Sequence, residues 1–100
     1  KDLKTSLSEA VDAIISTYQS TYKDFEVRAG SREIISISGA TASRFIADHK
    51  ALMSGQDSVQ YMFVIVTADR MCQLQFTTDR DNFERMQPVF DSIANSIEIH

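Results

Sequence analysis

One hundred residues, 43% of them hydrophobic, suffice for one modest core and leave no room for a second domain. Ten Lys and Arg against fourteen Asp and Glu give a formal charge of −4, interspersed and without a basic run, which argues against non-specific binding to nucleic acid or an anionic membrane. The longest apolar run, Tyr61 to Val66, is far short of the ~20 residues that span a bilayer, and three Gly and one Pro exclude a collagenous or low-complexity chain.

In chain order, Leu3, Leu7, Val11, Ile14, Ile15, Tyr18 and Tyr22 recur at three- and four-residue spacing, the stripe of an amphipathic helix over about 7 to 22. Ser6 followed by Glu9 reads as its capping box. Asp24 to Arg28 alternates polar and apolar as a half-buried strand does, and Gly30-Ser31 turns the chain. From Glu33 to about Leu52 the β-branched residues predict one long strand, with Gly39 marking a bulge or a close backbone approach. Ser54 to Ser58 is the next turn. Tyr61 to Val66 is apolar without alternation, so it is expected to be the central strand, with Met62, Val64 and Val66 buried on one face and Phe63 and Ile65 on the other. Asp69-Arg70 makes a short hairpin loop into a strand where Cys72, Leu74 and Phe76 alternate with Gln73, Gln75 and Thr77. A last helix opens at Thr78 or Asp79 as N-cap and carries Phe83, Met86, Phe90, Ile93 and Ile97 on one stripe, in phase across Pro88, which predicts a bend there rather than a restart. The expected fold is α+β: one domain over 1–100, a mostly antiparallel meander sheet with helices packed on both faces, an α/β/α sandwich.

This order resembles the PsbP/DcrB-like family of photosystem accessory proteins and bacterial lipoproteins, which also includes a nuclear-transport factor that binds the GTPase Ran. The residues that carry the resemblance are the Ile37-Ser38-Gly39-Ala40-Thr41-Ala42 segment, the turn at Gly55, the aromatic-rich strand Tyr61 to Val66, and a closing helix reading Asp81-Asn82-Phe83, Pro88-Val89-Phe90 and Asn95-Ser96-Ile97. Ile97 stands where the family usually ends on an aromatic. The family's N-terminal strand pair, with its Pro and Trp, is missing before the first helix, which points to a minimal member or to removal of an N-terminal segment. These are packing motifs, so the resemblance implies a fold and an accessory or binding role, and it brings no catalytic residues with it.

The chemistry-bearing residues are sparse. A single cysteine, Cys72, cannot form an internal disulfide, and a nucleophilic role for it requires His49 within hydrogen-bond reach, about 3 Å. An intervening central strand would hold their strands about 9.6 Å apart, so Cys72 reads as a buried small side chain beside Leu74 and Phe76, and His49 as a residue at a solvated strand edge or end. Asp57, Asp79 and Asp81 are expected at one end of the sheet, yet nothing near them has the dense Asp/Asn and Gly alternation of a calcium loop. Asp79 and Asp81 suit a helix N-terminus. No Gly-x-Ser-x-Gly elbow and no phosphate-cradling glycine loop is present, so neither an enzyme nor a bound cofactor or metal is expected. His100, the last residue, supports no inference.

The sequence therefore predicts a non-catalytic binding or accessory domain working outside the cytoplasm, from a precursor with a signal peptide or lipid anchor, as the start at Lys1 fits. A protein partner, basic or cationic, is expected against Gln56, Asp57, Asp79 and Asp81. The alternative is an intracellular interaction module of the Ran-binding type, with a small enzyme as the third reading.

Overall fold

A computed structural model describes residues 3–97. The first apolar stripe forms α1 (Leu3–Thr21), with Leu7 and Val11 buried and Ile14, Ile15 and Tyr18 half-buried against the sheet. The helix is already under way at Leu3, so Ser6 is a helical residue and not the N-cap expected of it. Past its end, the Tyr22 amide donates to the Tyr18 carbonyl at 2.8 Å, and Asp24 takes the left-handed φ of 59° that swings the chain into the sheet. Aspartate tolerates that region better than most side chains. The turn consumes the start of the expected Asp24–Arg28 strand, leaving β1 (Glu26–Val27), paired antiparallel as Glu26↔Asp48 and Val27↔Ala47.

The long strand expected through Gly39 is two strands, β2 (Glu33–Ile37) and β3 (Ala40–Lys50). Ser38 and Gly39 close a two-residue hairpin between Ile37 and Ala40, with φ of 49° and 81°. Positive φ at both loop positions matches the twist of the flanking strands, as in a type I′ turn. A Cβ on Gly39 would meet nothing within 4 Å, so it is the dihedral and not a close approach that calls for glycine.

β3 then pairs with β4 (Asp57–Val66) over ten residue pairs, and β4 with β5 (Met71–Asp79) over nine. The order is β1-β3-β4-β5, with β2 also on β3, so β1 and β2 share one edge of β3; β2 to β5 form the expected antiparallel meander, and β1 alone pairs out of sequence order. The result is α+β: an open, five-stranded antiparallel sheet with one helix on each face.

β4 is the central strand, and alternate residues feed two cores. Met62, Val64 and Val66 pack with Phe45, Ala47, Leu7 and Val11 under α1. Phe63 and Ile65, with Val59 and Tyr61, face Phe83, Phe90 and Ala94 on the other side. Both sets are buried, as expected from a run without alternation. The second helix, α2 (Phe83–Asn95), follows a 3₁₀ turn at Arg80–Asn82 and continues through Pro88 without restarting. Its buried line runs Phe83, Phe90, Ala94, with Met86 packed alongside, while Ile93 is 45% exposed despite its expected place on the stripe. The small Ala94 takes the sheet-facing position, so the helix lies rotated away from Ile93.

Candidate functional site

The four residues singled out from the sequence lie together. Gln56, Asp57, Asp79 and Asp81 line an open cavity of about 280 Å³ at one end of the sheet, with Arg80 as its fifth wall. The hairpin between β3 and β4 brings Gln56 and Asp57 there, because Lys50 pairs with Asp57 and Ser58 with Asp79 across three adjacent strands. Asp57 is the first residue of β4 and not part of a turn.

The electrostatics differ from a bare carboxylate cluster. Lys50 Nζ donates to Asp57 Oδ1, and Arg80 reaches Asp57 Oδ2 at 3.4 Å and Asp48 Oδ1 at 3.4 Å. Arg28 closes the chain with two bonds to Asp48, at 2.7 and 2.9 Å, while its guanidinium lies 5.2 Å from the centre of the Phe83 ring. Arg28, Asp48, Arg80, Asp57 and Lys50 thus form a ladder of alternating charge from the end of β1 across β3 and β4 to the 3₁₀ turn. Its carboxylates are held below the usual range, Asp48 chiefly by the Arg28 hydrogen bonds and Asp57 chiefly by Lys50. Asp79 sits at the N-cap of the 3₁₀ turn but makes no side-chain cap; its Oδ1 accepts from Asn82 Nδ2 at 2.6 Å. Asp81 is exposed within the turn. Among the described residues, no group of three or more His, Cys, Asp or Glu could hold a metal ion.

Sequence reading missed the apolar feature beside this cavity. The Ala51 amide donates to the Gln56 carbonyl and the Gly55 amide to the Ala51 carbonyl, both at 2.9 Å, which closes a tight loop. Gly55 has the positive φ of 70° that lets it close. Leu52 and Met53 ride on the apex, 65% and 99% exposed. A second open cavity, about 310 Å³, lies behind the apex between Thr21, Lys23, Lys50, Ala51, Leu52 and Gly55. The apolar tip therefore stands between a lysine-lined hollow and one lined with Asp and Arg. Two adjacent large apolar residues immediately before the Ser54–Ser58 turn are the available signal, but the strand expected to run to about Leu52 hides it.

Cys72 and His49 take positions opposite to those expected. Cys72 is exposed, because β5 is an edge strand and α2 reaches Phe76 but leaves the far end of the strand open. His49 is only 4% exposed, tilted against the Tyr22 ring at 4.4 Å, with Nδ1 at 3.1 Å from the Lys50 carbonyl. They pair with β4 at Ile65 and Ser58 respectively, so the length of the sheet separates them, about 24 Å along the strand.

No protein-family model matches the chain, and no curated protein matches it in sequence. It is similar in fold to the crystal structure of a Pseudomonas aeruginosa protein of unknown function whose working description is a regulator. The TM-score is 0.78 at 14% identity, over 93% of this chain, which spans 62% of the length of that one. A likeness at that identity establishes the shared fold alone.

Proposed function

We propose that the chain is a non-catalytic binding domain that holds a protein partner at the end of the sheet where Leu52 and Met53 project. The observation that carries this reading is the fully exposed Met53 on a hydrogen-bonded apex. An apolar knob held ready in water and rimmed by polar groups is the anatomy of a binding interface, and loop closure in advance lowers the entropy lost on docking. The charges on either side supply register: the Asp79 and Asp81 side suits a basic group, the Lys23 side an acidic one. The same reading places the chain among PsbP/DcrB-like accessory domains, with the helix-sheet-helix order in its support, and in an exported or lipid-anchored protein, where the support is the resemblance alone.

The experiment is to identify a partner by affinity capture and measure its affinity for the Met53→Glu protein. A loss of about 30-fold is expected, the size of a 2 kcal/mol hot spot. Replacing Asp57, Asp79 and Asp81 together with Asn should flatten the salt dependence of binding. Unchanged affinity in both variants, with folding intact, overturns the assignment of this end.

A further inference from the structure

Running away from this site, the sheet ends along one side on a strand that lacks the usual protections. β5 pairs with β4 through an unbroken register and, among the described residues, has no strand on its outer edge, so the backbone N–H and C=O groups of alternate residues over Met71–Asp79 face outward. Sheet edges are normally blunted by charge, proline or a bulge. From Met71 to Thr78 there is no charged residue and no proline, and the nine pairs with β4 leave no residue over.

The flank of α2 beside this edge is apolar as well. Tyr61 fixes the orientation: its hydroxyl donates to Asp91 and accepts from Arg44 on β3, so the Asp91 side of the helix faces β3. Val89 and Ile93, one turn apart and on the other side of the Phe90 line, therefore face the β5 edge, and they are 47% and 45% exposed. Below them Leu74 and Phe76 are half-buried, Phe76 stacked on Phe90 at 4.5 Å. On the other face, α1 reaches the strand through the Tyr18 hydroxyl, which donates to Gln75 Oε1 at 3.0 Å, and beside that bond an open cavity of about 240 Å³ separates α1 from Gln73.

We propose that a second copy of this chain occupies the edge, β5 against β5, making one continuous sheet across a two-fold axis. The occupant must bring an antiparallel strand and an apolar shoulder together, and the chain's own edge does both. A two-fold normal to the sheet keeps like faces together, so each residue meets one of its own face. Pairing all nine residues puts Gln75 on the axis, Leu74 opposite Phe76, and Gln73 opposite Thr77. The α2 helices then lie on one face, with Val89 and Ile93 of each turned toward the other copy. No charge opposes a like charge within the paired strands.

The test is the molar mass of the full chain by light scattering, with Gln75→Lys, Gln75→Glu and Ile93→Lys variants, all at exposed positions and checked for fold by circular dichroism. Wild type is expected at twice 11.3 kDa and each variant at 11.3 kDa alone, since Gln75→Lys sets two like charges face to face. Mixing Gln75→Lys with Gln75→Glu should restore the doubled mass. A wild-type monomer at the highest soluble concentration overturns the proposal. So does a dimer that persists in every variant, or a monomer that binds a foreign strand at this edge.

Discussion

Most of what one residue does here depends on which strand opposes it. Asp48 was unremarkable in the sequence beside His49 and Lys50, yet it carries the bidentate Arg28 bond because β1 and β3 pair twenty residues apart. Asp57 was legible as a site residue from its place near a turn, but its neutralisation by Lys50 and Arg80 needed the register. Because Asp48 has a folded pKa below its ordinary value, the folded state binds fewer protons than the unfolded chain as pH falls. Its contribution is complete above the unfolded value of about 3.9 and is withdrawn as pH drops through the lower folded one. Asp48→Asn should therefore cost about 1 kcal/mol near neutral pH. Denaturant melts of both proteins down the acid limb should show the gap narrowing only below about 3.9; a gap independent of pH contradicts the ion-pair account.

Elements were easier to read than their ends. The period-3.6 stripes located both helices, and the unalternating Tyr61 to Val66 run located the central strand, because each pattern is set by burial of the element itself. The Ser38-Gly39 hairpin was missed because β-branched residues on both sides made one run, and a single Gly signals a bulge as readily as a turn. Ile93 was misplaced because it and Ala94 both fit a helical stripe, and only packing against the sheet decides which one turns inward. Pro88 belongs at this scale too. It lies exposed inside α2 and cannot donate the backbone bond its position would otherwise make to Glu84. Pro88→Ala should restore that bond at no cost in packing and stabilise the fold by about 1–2 kcal/mol, less than the full ~3 kcal/mol proline penalty because the unfolded chain regains entropy. Equilibrium unfolding in urea measures this. A lower stability would mean that the shape Pro88 imposes on α2 is required by the sheet.

Across the whole molecule, the sheet separates two kinds of surface. Its faces are spent on α1 and α2, which leaves the strand ends and the β5 edge for recognition. That the helices would cover both faces was readable from β4; which end would carry an apolar tip was not, since exposure of Leu52 and Met53 depends on where β3 stops and how Gly55 closes the loop. The central claim is that the β3–β4 tip and the adjoining 3₁₀ turn form the partner surface. Hydrogen–deuterium exchange of the chain, free and saturated with its partner, tests this most directly. Slowed exchange is predicted at Ala51–Gln56 and Asp79–Asn82, with the Thr67–Arg70 loop at the far end unchanged. Protection confined to the far loop or to the outer face of α1, with Leu52 and Met53 exchanging as in the free chain, would contradict it.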